Sequence, residues 1–223
     1  MLDVLLPQRC LVCGGGRTLL CDGCRDGLAW LDPPLCERCG APTAWPVRRC
    51  RECSGRRLAF ASARAAVPYD DRVQRFVAGW KERGLRGLAE QAAEIVADRV
   101  ARPDARVVTF VPPDANRRRD RGHHPAERLA RALARRWDAP CEPLLRRTRE
   151  ARRQRGLSLV ERRRNVAGAF TSVRGIAGAA ILVDDVYTTG ATVSAAAAAL
   201  RAAGAHRVDV ITFARAVRTW GYG

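Results

Sequence analysis

Lysine is almost absent from this chain: Lys81 is the only one among 40 basic residues, and all the others are arginine. So strong a bias, beside heavy use of alanine, fits GC-rich coding, but the charge it carries is physical. The net charge is +17 and the sequence pI near 11.0, a balance that favours phosphate-rich partners such as nucleotides or nucleic acid. Aromatic residues make up only 6%, and none alternates with basic residues in a way that would build a stacking platform. Contact through phosphates is therefore expected over base reading. No run approaches the ~18 apolar residues of a membrane helix. The opening Leu2–Pro7 includes Asp3 and Pro7, which does not read as a signal peptide. A soluble, cytoplasmic protein without membrane insertion is expected. Apart from the cysteine pairs there is no internal repeat, and no long linker of low complexity.

What the chain has is cysteine in an ordered array. Eight of its nine cysteines form four Cys-x-x-Cys pairs: Cys10/Cys13, Cys21/Cys24, Cys36/Cys39 and Cys50/Cys53. Each pair can place two thiolates on one metal from a tight knuckle, and two pairs complete a tetrahedral site of four cysteines, so the array suits two structural Zn2+ ions. Without a secretion signal, disulfides are the weaker reading. Sequential pairing would put Cys10, Cys13, Cys21 and Cys24 on one ion and Cys36, Cys39, Cys50 and Cys53 on the other, across intervening loops of 7 and 10 residues. A cross-braced order, with alternate pairs sharing a metal, is also open. Cys141 stands alone and reads as a packing residue. With 223 residues and 47% hydrophobic content, the chain has room for one ordinary domain beside a small module. The expected division is a zinc module at 1–58 and a larger domain at 59–223.

That larger domain alternates strand-like and helix-like segments. Ser62–Val67, Arg106–Val111, Ala179–Val183 and Val208–Ala214 read as strands, with a further candidate at Pro140–Leu145; Arg72–Trp80, Arg86–Val100, His123–Trp137 and Ala191–Ala203 read as helices. Alternation of this kind implies a parallel α/β sheet, with the ligand beyond the strands' C-terminal ends. The segment Ile181–Ser194 carries the chemistry. An apolar strand leads to Asp184 and Asp185, then to Thr188-Thr-Gly-Ala-Thr192, then to an alanine-rich helix. Free N–H groups and a positive helix end meet at that turn. Gly190 permits close approach of an anion, and Thr188, Thr189 and Thr192 offer hydroxyls. The turn reads as a monophosphate cradle, while the two acids suit a vicinal diol.

These residues resemble the ribose-phosphate signature of the type I phosphoribosyltransferases. The resemblance implies a phosphoribosyltransferase-like parallel sheet and a site for 5-phosphoribosyl-1-pyrophosphate. Asp184 and Asp185 would hold the ribose hydroxyls, and Thr188, Thr189, Gly190, Ala191 and Thr192 the 5′-phosphate. Mg2+ would accompany the pyrophosphate. The cysteine array, Lys81-x-x-Gly84, Arg121-Gly122, Gln154-x-Gly-Leu-Ser158 and Val183–Thr192 occur here in one order, and together they resemble the ComF family, phosphoribosyltransferase-like proteins associated with natural transformation. The chain departs from that family's pattern at Phe110-Val-Pro-Pro113 and at Arg121-Gly-His-His-Pro125; His123 and His124 are expected to be exposed or packed at a helix start.

Lys81, Pro113, Arg121 and Arg153 are candidates for the pyrophosphate side or its loop. Arg117–Asn165 holds seventeen arginines against six acids, 17 − 6 = +11; within it Arg117, Arg118 and Arg119 are candidates for contact with single-stranded DNA. Two functions fit: a DNA-uptake protein with a retained phosphoribosyl pyrophosphate or nucleotide site and a possible competence helicase as partner, or a catalytic phosphoribosyltransferase of nucleotide metabolism whose acceptor the sequence does not name.

Overall fold

The run Ala179–Val183 is apolar at every position because both faces of its strand are covered. In the computed structural model, which describes residues 9–82, 85, 87–113, 124–148 and 168–217, alternate residues of this run enter two different cores. Ala179, Ile181 and Val183 face one cluster; Ala180 and Leu182 face the other. Burial on both sides is what parallel strands require and what abolishes polar alternation along them.

The elements in chain order are α1 (Asp22–Asp26), β1 (Ser62–Pro68), α2 (Asp71–Glu82), α3 (Leu88–Arg99), β2 (Val107–Phe110), α4 (Pro125–Arg136), β3 (Leu145–Arg147), β4 (Phe170–Ser172), β5 (Gly178–Tyr187), α5 (Ala191–Ala202) and β6 (Ala205–Arg215). Four strands form a parallel sheet in the order β1-β6-β5-β2. The α/β class with a parallel sheet and an N-terminal cysteine-rich module is the one expected. Helices α2, α3 and α4 pack on one face together with the segment around Cys10–Leu28. Helix α5, the β3–β4 pair and the segment around Cys36–Phe60 pack on the other. Each half of the cysteine array thus covers a different face of the sheet. No helix of the described residues is long and apolar enough to cross a membrane.

Two expectations need correction. Strand β5 does not stop at Val183 but runs on through Tyr187, paired with β6 as far as Tyr187↔Arg215, so both acids lie on a strand. Pro140–Leu145 is not a strand: within it Cys141 makes an isolated parallel bridge to Val108, and the chain becomes regular at Leu145–Arg147, which pairs antiparallel with β4. Partners distant in sequence, not local propensity, decide both cases. Helix α4 starts at Pro125 because Pro fits the first helical position and His124 caps it, its Nδ1 accepting from the Glu127 N–H at 3.1 Å. His124 packs its ring 5.6 Å from Phe110, so the helix-start reading holds for it; His123 lies outside the described residues.

Helix α2 shows how the sheet is held. Asp70 Oδ1 accepts from the Val73 N–H at 2.9 Å, which caps its first turn. Val73, Phe76, Val77 and Trp80 then share one buried face. The Phe76 and Phe213 rings stand 5.0 Å apart, and Trp80 meets Phe213 edge-on at 6.4 Å. Phe76→Ala should therefore cost about 3–5 kcal/mol, measured as a lowered urea midpoint in the metal-loaded protein. A loss below about 1 kcal/mol would show that this contact does not carry the packing.

Candidate functional site

Strand β5 delivers its last residues to the sheet's C-terminal edge, and the chain turns at once into α5. Gly190 makes the turn with φ +73 and sits directly over Tyr187; a Cβ there would lie 2.2 Å from the phenol oxygen. Only glycine fits both the backbone angle and the space. Tyr187 is buried against Phe60, and burial pushes its phenol up to about 12. Ser194 N–H bonds back to Gly190 O at 2.9 Å, and Ala191 N–H reaches Thr189 Oγ1 at 3.4 Å. The first turn of α5 otherwise presents its N–H groups outward, a setting suited to an anion.

Beside this turn lies a cleft of about 410 Å³. Thr188 and Thr192 from the loop, Asp184 and Asp185 from β5, and Lys81, Pro113 and Arg147 all line it. Asp184 is half-buried, and its Oδ1 accepts from the Asp185 N–H at 2.9 Å. Burial, and then the neighbouring Asp185 carboxylate, push the Asp184 carboxyl up to about 7; the backbone bond, Lys81 and Arg147 oppose the shift. Lys81 Nζ is 2.8 Å from Asp185 Oδ1. The lysine sought for the pyrophosphate side is thus paired with one of the two acids of the cleft.

The expected residues divide as follows. Asp184, Asp185, Thr188, Thr192, Lys81 and Pro113 are brought to one cleft. Thr189 and Ala191 complete the turn, with Thr189 O accepting from Arg56 Nη2 at 2.6 Å. Arg117, Arg118, Arg119, Arg121 and Arg153, and the Gln154–Ser158 segment, lie outside the described residues. In sequence Arg147 belongs to the Arg147-x-Arg149 run that leads into the basic loop suited to a pyrophosphate, with no separate role of its own. Its guanidinium lies 4.7 Å from the Phe170 ring centre, yet in sequence nothing separates it from its arginine neighbours. Tyr187 and Arg56 were missed too: their importance lies in what they touch.

The cysteines settle the pairing order. Cys10, Cys13, Cys21 and Cys24 gather in one group and Cys36, Cys39, Cys50 and Cys53 in another, with all ligand atoms of a group within 4.8 Å of one another; the order is sequential. None of the nine cysteines is in a disulfide. A tetrahedral zinc with Zn–S near 2.3 Å needs sulfurs about 3.8 Å apart. The pairs Cys13/Cys21, Cys36/Cys53 and Cys39/Cys50 stand at 3.8, 3.6 and 3.5 Å. Gly14 N–H bonds Cys10 O, Gly40 N–H bonds Cys36 O, and the Cys50 N–H points at Cys36 Sγ at 3.3 Å. Both groups fit a zinc ion held by four thiolates, whose contribution here is structural. Cys141 is half-buried and packs against the core of α4.

Residues 1–54 match the model of the Double zinc ribbon domain. Competence protein F of Haemophilus influenzae is 28% identical over 230 residues, covering 93% of this chain and 97% of that protein. The resemblance to the ComF family holds. Solved structures similar to this chain include the B. subtilis glutamine phosphoribosylpyrophosphate amidotransferase complexed with ADP and GMP, with TM-score 0.36 and 27% identity over 56% of this chain. The chain spans a quarter of that enzyme's length, 25%. A Thermus thermophilus protein is 19% identical with TM-score 0.33, over 61% of this chain and 85% of its own.

Metal analysis of the purified protein should find about two zinc ions per chain. Cys10→Ser and Cys39→Ser should each lower that to about one, because each breaks a different tetrahedron. A chain that keeps its fold with no metal, or one in which a single substitution empties both sites, would contradict the assignment.

Proposed function

We propose that this chain is a competence-associated, phosphoribosyltransferase-like protein that binds phosphoribosyl pyrophosphate or a related ribose phosphate. The observation that carries this reading is the meeting of two carboxylates at the end of β5 with the N-terminus of α5 in one cleft. A monophosphate fits the helix end and the Thr188 and Thr192 hydroxyls. A ribose diol bridges from there to Asp184 and Asp185, since carboxylates accept hydrogen bonds from vicinal hydroxyls. The pyrophosphate then extends toward Lys81, Pro113 and Arg147, where Mg2+ carried by the ligand joins the arginine in balancing its charge. Lys81 holds Asp185 until the diol takes its place. In this reading residues 1–58 form the zinc module and 59–223 the ribose-phosphate domain, at work in the cytoplasm, where thiols stay reduced.

Transfer of the ribosyl group would need a nucleophile in line with C1; binding is the function proposed and catalysis the alternative. The net charge of +17 and the similarity to Competence protein F support single-stranded DNA as a second ligand, with Arg117, Arg118 and Arg119 as candidate contacts and a competence helicase as a candidate partner.

Calorimetry with ribose 5-phosphate and 2-deoxyribose 5-phosphate separates diol recognition from overall charge. The intact protein should prefer ribose, and Asp184→Asn/Asp185→Asn should erase the preference, each charge-assisted bond being worth about 1.5–3 kcal/mol. A diol acceptor must be ionised, so ligand binding favours the Asp184 carboxylate over its protonated form. Affinity should rise as pH increases through about 7, and by less in Asp184→Asn. Equal affinity for the two sugars, or no binding, would reject the reading. For DNA, log affinity should fall with log salt at about −0.7 per phosphate neutralised; salt-insensitive binding, or none at low salt, would remove DNA from it.

A further inference from the structure

We propose that Arg56, reaching across from the second ribbon, is a positioning residue that fixes the direction of the Thr189–Gly190 peptide in the anion loop. The proposal rests on the ribose-phosphate reading and deepens it. Arg56 Nη2 donates to Thr189 O at 2.6 Å. In a trans peptide the carbonyl and the following N–H point in opposite directions. Drawing the Thr189 carbonyl toward the ribbon therefore turns the Gly190 N–H the other way, to the side where an anion at the start of α5 would lie.

Such a lock is needed because Gly190 lies in the left-handed region at φ +73. Turns built around glycine exchange types by rotating one peptide through about 180°, with little steric resistance. A rotation here would replace an N–H donor with a carbonyl oxygen facing a phosphate. The outcome is a reversal of a dipole, not a small displacement, and a charge-assisted bond from a guanidinium opposes it.

Arg56 can act as a lock because it is itself anchored. Its N–H donates to Cys53 O at 3.2 Å, and its carbonyl accepts from Arg49 Nη1 at 2.9 Å. The same Arg49 atom reaches Cys53 O at 3.4 Å. The base of the side chain is thus part of the Cys50–Cys53 knuckle. A second tether runs from the Ala59 N–H to Ser194 Oγ at 3.1 Å, one turn into α5. Arg56 thus holds the anion loop itself, and the chain just after it, at Ala59, holds the first turn of α5.

The test compares full-length, zinc-loaded wild type with Arg56→Ala and Arg56→Lys by three readouts: zinc content, the Gly190 amide resonance in ligand-free protein, and calorimetry with ribose 5-phosphate. Arg56→Ala should keep about two zinc ions, shift or broaden the Gly190 amide, and weaken ribose 5-phosphate about tenfold. Arg56→Lys should recover part of that loss, since an ammonium can still reach the carbonyl. An unmoved Gly190 resonance with unchanged affinity overturns the lock while leaving the ribose-phosphate reading intact. Zinc loss that accompanies the weaker binding also overturns it, because Arg56 would then serve only the ribbon. A wild-type protein that does not bind ribose 5-phosphate overturns the reading itself and the role assigned to Arg56 within it.

Discussion

Arg215, at the last position of β6, is 1% exposed. Bringing a guanidinium out of water costs several kcal/mol unless its hydrogen bonds and charge are met. Here Nη1 donates to Cys39 O at 2.6 Å, Nη2 meets Glu52 Oε2 at 2.7 Å, and the guanidinium carbon lies 4.6 Å from the Tyr187 ring centre. Burial works against its charge, but Glu52, and after it Cys39 and Tyr187, outweigh it, so its pKa rises above the usual arginine value. Every partner but Tyr187 comes from the second cysteine group. Without that group in place the end of β6 would carry a buried, unmatched charge.

That tie accounts for much of the site. Strands β5 and β6 stay paired to Tyr187↔Arg215, which keeps Asp184 and Asp185 on a rigid strand instead of a loop. Tyr187, clamped between Arg215 and Phe60, forms the support under Gly190. The first cysteine group braces the opposite face: Arg72 and Arg75 of α2 donate to Gly27 O and Val12 O, and Arg25 pairs with Glu94 and Asp98 of α3. Helix α2 in turn carries Lys81 to the acids. The two groups thus reach the cleft by separate routes, one through the anion loop and one through the lysine.

Much of this is legible in the sequence. Two-sided burial leaves an apolar run, so the central strand showed itself at Ala179–Val183. Cysteine spacing announced the zinc groups, and the Asp-Asp/Thr-Thr-Gly segment announced the cleft. What failed to show depends on partners far away in sequence. Asp184 and Asp185 are strand residues because β6 pairs with Asp184, Val186 and Tyr187 around them, though acids argue against a strand locally. Phe170–Ser172 is too short to be read as a strand without Leu145–Arg147 beside it. Arg56, Arg147 and Arg215 are three among many arginines, and composition cannot single out those that turn inward. The pairing of the cysteines also stayed open, because short loops permit more than one closure.

The central claim is that one cleft at the end of β5 holds the phosphate and the sugar together. A crystal structure with ribose 5-phosphate bound tests it most directly. The account predicts the phosphate against the Gly190–Thr192 N–H groups, the two ribose hydroxyls on Asp184 and Asp185, and Lys81 released from Asp185. A phosphate bound away from the start of α5, with Lys81 still paired to Asp185 and no sugar oxygen near either acid, would contradict it.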